Sequence, residues 1–245
     1  MSREWNFRQM SNIKKSPYPA LKDFPEFQND EKMVTYATNI NINALEFASL
    51  NLKNNPDFML SVINRYSDAL QFASPELKGN RKFMLAALMK QNDAIKHASD
   101  ELKADKEFVI SAIHEWRGAF DYISDELKAD RDVFKAAVSK DGLLLKIAPT
   151  ELQADRVVVM AAVMNNGNSL EFASAELRSD KEVVTAAVNN YGCALKYALG
   201  AIMSDEELLK KEIDCKKRNG DYEFYGGKRT RRRKRSRKTR RSYKK

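Results

Sequence analysis

The sequence predicts an all-α fold, an α-helical solenoid of seven helix-turn-helix repeats, and three observations carry that expectation. A capping residue returns at one constant interval, without a gap, at Asp30, Asn55, Asn80, Asp105, Asp130, Asp155, Asp180 and Asp205. Apolar columns keep the same register. Ala37, Val62, Ala87, Ala112, Ala137, Ala162 and Ala187 form a small one, and Leu45, Leu70, Ile95, Phe120, Leu145, Leu170 and Leu195 a large one. Leu52, Leu77, Leu102, Leu127, Leu152 and Leu177 form a third, which ends in Ile202. Finally, six prolines and nine glycines in 245 residues are too few for a turn-rich β architecture.

Each element of a copy has its own reason. Asp105 suits a helix N-cap, because its carboxylate accepts from free amides of the first turn. Phe108, Val109, Ala112 and Ile113 then place apolar groups on one helical face. A turn is expected at Arg117-Gly118. In later copies Gly142, Gly167 and Gly192 take the slot of Arg117, as a left-handed residue after a helix would require. Ile42, Ser67 and Asn92 stand there earlier, which predicts looser geometry toward the N-terminus. A short second helix follows, over residues 119–123 or 169–173 in two examples. Ser49, Ser74, Ser99, Ser124 and Ser174, usually with Glu two residues on, then cap a single turn leading to the next copy.

A unit this small cannot bury its own apolar face, so copies must stack. At about 8–10 Å per helix layer, seven copies would span roughly 60–70 Å. The stretch 157–164 is apolar nearly all round and is expected in a doubly covered layer. The expected organisation is an N-terminal extension at 1–24, the repeat domain at 25–218 with a partial copy from 205, and a disordered tail at 219–245.

The net charge of +9 conceals a division. Residues 228–245 carry 13 of the 43 Lys and Arg and no acid, leaving 30 bases against 34 acids and a net −4 for the rest. The tail cations Lys228, Arg229, Arg231, Arg232, Arg233, Lys234, Arg235, Arg237, Lys238, Arg240 and Arg241 are candidate nucleic-acid contacts. They would bind phosphate by counterion release, without sequence preference and steeply weakened by salt. Tyr243 is the only aromatic there, so stacking adds little, and phosphorylation at Thr230, Ser236, Thr239 or Ser242 would cut the charge. Lys216-Lys217 followed by Lys228-Arg229 also has the form of a bipartite nuclear-import signal.

Little else carries chemistry. His97 shares a column with Phe47, Phe72, Tyr122, Phe172 and Tyr197 and reads as packing, while His114 stands near a helix end. Cys193 and Cys215, the only cysteines, exclude a disulfide framework, point to a reducing compartment, and lack metal-ligand spacing. Carboxylate pairs such as Glu101 with Asp105 recur at cap positions, as helix starts require. There is no phosphate-binding glycine loop and no nucleophile elbow. No catalytic residue, cofactor or metal is expected, and the protein is expected not to be an enzyme. MSREWNFRQM has no secretory h-region, and the longest apolar run, 157–164, is too short for a membrane span. Of the two tryptophans, Trp5 and Trp116, the second lies at a turn that departs from the common pattern. Trp116, Arg117, Tyr66 and Tyr191 on the turn edge are candidate contacts for a protein partner not identified by the sequence.

The motif Leu-x-Phe/Tyr-Ala-Ser-x-Glu-Leu-Lys-x-Asp, followed by Val-Val-x-Ala-Ala-Val, resembles an uncharacterised helical repeat family catalogued as a domain of unknown function. It is clearest in Leu170, Phe172, Ala173, Ser174, Glu176, Leu177 and Asp180, then Val183, Val184, Ala186, Ala187 and Val188. The resemblance covers about residues 25–210. The family is abundant in large nucleocytoplasmic DNA viruses and their protist hosts, and it brings no known catalytic residues. It implies an intracellular setting, in the host cytoplasm or nucleus or in the virion. The basic tail is similar to C-termini of such viral proteins. Together these favour a scaffold tethered to nucleic acid or another acidic partner, with a host-directed adaptor as the alternative.

Overall fold

The structure is a computed structural model and describes residues 21–219. All regular elements among the described residues are helices. From residue 30 to residue 204 the chain passes seven times through one three-part unit. The fourth copy shows it in full: a long α-helix Lys106–Glu115, a 3-10 helix Arg117–Tyr122 and a short α-helix Asp125–Ala129. In the last two copies the third piece is itself 3-10, at Leu177–Ser179 and Gly200–Ser204. An eighth long helix, Glu206–Asn219, closes the array.

The caps act as their residue types require. All eight Asp or Asn side chains accept from the amide three residues on, at 2.7–3.2 Å. Each such cap contributes about 1 kcal/mol relative to alanine. Ser49, Ser74, Ser99, Ser124 and Ser174 cap the short third piece in the same way, at 3.1–3.3 Å. The middle piece is 3-10 rather than α. A short segment confined between an extended residue and the next cap fits the tighter winding, which is seldom stable for longer. It also starts two positions before the expected 119 and 169, at Arg117 and Gly167.

The core is a continuous strip. The small column is buried throughout, with Ala37, Ala87, Ala112, Ala137, Ala162 and Ala187 fully covered, and the column from Leu45 to Leu195 is at most 3% exposed. Volume is traded between neighbouring positions. Phe58, Phe83 and Phe108 give way to Val133 in their slot, and there the next residue becomes Phe134, which meets Phe120 edge-on at 5.5 Å.

Three expectations need correction. Gly142, Gly167 and Gly192 are not left-handed; among the described residues only Gly200 has positive φ, at 73°. Their role is close approach. A Cβ on Gly192 would lie 2.6 Å from the Lys211 carbonyl oxygen, and Gly142 and Gly167 crowd the Ala162 and Ala187 carbonyls in the same way. Glycine is needed because the next copy's helix backbone occupies that space. Nor is the helix Arg156–Asn165 covered all round: Val158, Val159, Ala162 and Val163 are buried, whereas Val157 and Met164 face solvent. The apolar run overstates the coverage because a single layer of stacking buries only one side of each long helix. The N-terminal copies, finally, do not loosen as a group; the departure is a shorter long helix, in the second and third copies alone. Pro56–Ile63 and Arg81–Leu88 have eight residues, against ten in Glu31–Ile40 and Lys106–Glu115.

Neighbouring copies are joined by three sets of bonds, each recurring at the repeat spacing. At the helix starts, a cation pairs with acids of the next copy: Arg81 with Glu107, Lys106 with Asp130 and Asp132, Arg131 with Asp155, and Arg156 with Asp180 and Glu182. These pairs are solvent-exposed, so each contributes little alone. At the serine edge, the amides of Ser49, Ser74, Ser99, Ser174 and Leu199 donate to a carbonyl of the preceding copy, at 2.7–2.9 Å. Pro149 has no amide hydrogen and interrupts this row. At the turn edge, Asn165 and Asn190 reach back to the preceding copy. Asn165 accepts from Gly142 at 2.9 Å and donates to the Ser139 carbonyl at 3.0 Å. Asn190 accepts from Gly167 at 2.7 Å and donates to the Met164 carbonyl at 2.9 Å.

Ser169 breaks the alanine pattern of Ala44, Ala69, Ala94, Ala119 and Ala194. Its hydroxyl is fully buried without a hydrogen-bond partner. An unpaired buried hydroxyl costs about 1–3 kcal/mol. Ser169→Ala should therefore raise stability by about 1 kcal/mol, read as a higher urea midpoint with an unchanged slope; a lower midpoint would show that the hydroxyl is paired.

Candidate functional site: the turn edge

Tyr66, Trp116 and Tyr191 occupy one and the same position of the repeat, just before the 3-10 helix. Their backbones are extended, with φ of −134°, −145° and −142°. Each ring is half-buried against the core. Because the position recurs once in every copy, the three rings lie on one edge of the array.

A cleft opens beside each ring. Near Tyr66 it measures about 170 Å³, with Thr38, Asn39 and Arg65 in its walls. Near Trp116 it measures about 240 Å³ and includes Arg117, Phe120 and Leu144. Near Tyr191 it measures about 460 Å³, between the end of one long helix and the closing helix. The Tyr66 hydroxyl donates to Asn39 Oδ1 at 3.4 Å, and the Tyr191 hydroxyl accepts from Asn219 at 3.2 Å. The Trp116 indole lies over Gly118, where a Cβ would collide with the ring, and its centroid is 5.9 Å from that of Tyr122. Trp116 is thus seated as well as presented. Arg117 is exposed and pairs with Asp141 of the next copy.

The remaining candidates fall elsewhere. His97 is half-buried in its column, and burial, followed by the nearby Lys78 and Lys96, holds its pKa below the ordinary 6.5. His114 is exposed in the last turn of its helix. Lys216 and Lys217 lie on the closing helix, paired with Glu212 and Asp214. The tail cations from Lys228 onward, together with residues 1–20, lie outside the described residues. Among the described residues there is no group of three or more His, Cys, Asp or Glu able to hold a metal ion. No helix among them is long and apolar enough to cross a membrane.

The sequence reading did not pair the two cysteines. Cys193 and Cys215 form a disulfide, with Cα atoms 5.6 Å apart. Stacking brings together two positions 22 apart in sequence, which spacing motifs alone do not reveal. The inter-copy cations and the Asn clamp were also missed. Their signal was present in the sequence, as a Lys or Arg directly after the capping residue from Arg81 to Lys181 and as an Asn ahead of the turns at Gly167 and Gly192.

Titration of the edge groups has a definite sign. Asp155 is held below the ordinary 3.8 by its hydrogen bond from Arg131, against the opposing effect of burial. Asp180 is held low by the amide of Val183, again against burial, with Arg156 assisting. A depressed carboxylate stabilises the fold above its unfolded pKa and loses that contribution as pH falls through the folded value. A depressed histidine acts in the same direction, with its loss beginning below 6.5. The melting temperature should therefore decline in two stages on acidification, first below about pH 6.5 and again below about pH 4. His97→Phe should remove the first stage; its persistence would assign that stage to another group.

The stacked helical units and the clefts between them define an α-solenoid, a class of repeat protein that offers an extended edge rather than one enclosed pocket. Within that class the family is shown. DUF4116, described as a domain of unknown function, matches residues 55–103, 80–128, 105–153 and 155–199, and the chain belongs to that family. No curated protein and no solved structure matches the chain significantly.

Proposed function

We propose that this protein is a non-enzymatic scaffold that binds a protein partner along its turn edge and is tethered by its basic tail to nucleic acid or another polyanion. The observation that carries the first half is the recurrence of a cleft beside an aromatic ring at one repeat position, at Tyr66, Trp116 and Tyr191. Rigidly held aromatic residues next to clefts are favoured binding anchors, because they bury large area at little entropic cost. The tail supports the second half through its charge alone, with 13 cations and no acid between Lys228 and Lys245. The setting we propose is intracellular, in a large DNA virus or its host cell, with packaging in the virion beside the genome.

The testing experiment is fluorescence anisotropy with labelled DNA and RNA, comparing the full chain with residues 1–225 at low and physiological salt. The full chain should bind both nucleic acids, weaken steeply with salt, and lose binding on truncation. Equal binding by the two proteins would move the interface to the body. No binding by either would favour a tail that serves as an import address. Against that second reading, Lys216 and Lys217 are ion-paired within the closing helix.

A further inference from the structure

Cys193 and Cys215 stand where the array ends, in a slot that has another occupant further back. One repeat back from Cys215 stands Asn190, and one repeat before that stands Asn165. Those two asparagines clamp their helices to Gly167 and Gly142 of the preceding copies. By the same register Cys215 faces Gly192, with its Cβ side packed where a Cβ on that glycine would lie 3.0 Å away. Instead of an amide clamp, Cys215 carries a covalent bond to Cys193, the residue directly after Gly192.

The closing helix buries less than an interior one. An interior helix such as Lys106–Glu115 buries Phe108, Val109, Ala112 and Ile113, whereas Glu206–Asn219 buries only Leu208 and Cys215. Among the described residues it packs on Lys181–Asn190, Gly192–Tyr197 and Gly200–Ser204, all from the copy before it or its end. Few buried apolar side chains put a segment toward the low end of local stability. The bridge falls on the long helix that buries the fewest apolar side chains.

We propose that Cys193–Cys215 is a redox-controlled latch, which keeps the closing helix docked when oxidised and releases it when reduced. The two sulfurs are nearly covered, but Cys215 and Asn219 line the 460 Å³ cleft, and the Asn219 amide nitrogen lies 3.7 Å from both sulfurs. A small dithiol reaches the bridge through that cleft. One of its thiolates attacks a bridge sulfur to give a mixed disulfide, and its second thiolate resolves this. Two electrons and two protons pass to the protein, which ends with two thiols, while the dithiol ends as its own disulfide. A disulfide oxidant such as glutathione disulfide drives the reverse. Release of the helix uncovers Leu195 and Val188, both buried while it is docked.

The test uses the full chain. Alkylation under denaturing, non-reducing conditions should leave both cysteines unlabelled, and labelling of both would overturn the proposal at once. Hydrogen exchange across 206–219 should accelerate by at least about tenfold on addition of dithiothreitol, with residues 106–140 unchanged. Unchanged exchange in the closing helix would equally overturn it. Cys215→Asn restores the residue of the earlier copies, so its closing helix should stay protected and ignore dithiothreitol. A Cys215→Asn variant that is folded elsewhere but frayed in that helix would show that the slot is not the asparagine slot, and the assignment would fall.

Discussion

Phe108→Ala should cost about 3–5 kcal/mol, the largest effect expected of a single truncation here. Phe108 is fully buried at the centre of the array, with copies on both sides. Removing the ring forfeits its transfer free energy and leaves a cavity that close-packed neighbours fill only in part. In an array the effect is also spatial. Each copy contacts only its neighbours, so stability is close to a sum of unit and interface contributions. A lesion in the fourth copy therefore weakens two interfaces and divides the chain into an N-terminal and a C-terminal block. Thermal unfolding followed by hydrogen exchange should show protection lost first around 80–140 and retained in the copies beyond. A uniform loss over residues 21–219 would show that the array unfolds as one unit.

Gly167→Ala is the second large effect, at about 2–3 kcal/mol of destabilisation. The added methyl group would collide with the Ala187 carbonyl and crowd Tyr191 at 3.0 Å. Neither is a flexible side-chain end; both belong to the next copy's helix or its cap. The whole copy must move outward, which stretches the Asn190 clamp as well. Gly79→Ala is the control. A Cβ there meets nothing closer than 3.6 Å, and Ala104, Ala129 and Ala154 hold the same position in later copies. That substitution should stabilise by about 0.4–1 kcal/mol through the unfolded state. The two variants should thus move the urea midpoint in opposite directions. A Gly167→Ala protein as stable as the parent would mean that the copies are not in close backbone contact.

The repeat and its caps were legible because they rest on residue types with few physical uses. Asp or Asn at every helix start and Leu or Ala at fixed offsets leave one economical reading, and the structure places each cap on its expected amide. The glycines misled because glycine has two uses. Positive φ and the absence of a Cβ are indistinguishable in a sequence, and here Gly142 and Gly167 serve the second. The apolar run at 157–164 misled for a related reason: hydrophobicity says what water rejects, not how many neighbours are present to cover it. The disulfide was hidden by register, since Cys193 and Cys215 become adjacent only when one copy is laid on the next. The turn edge was legible as a set of unusual residues, but the fact that Tyr66, Trp116 and Tyr191 share one position with a cleft at each emerges from the stacking.

The bonds that join copies are all short in sequence. The asparagine clamps span 23 and 26 residues, the ion pairs 24 to 26, and the disulfide 22. A chain whose contacts never reach far beyond one repeat has little loop-closure entropy to overcome. During synthesis, each copy can dock as soon as the one after it leaves the ribosome, with nothing further downstream required. The growing end is then always a temporary cap, and only the last helix, with its polar outer face, makes that end permanent.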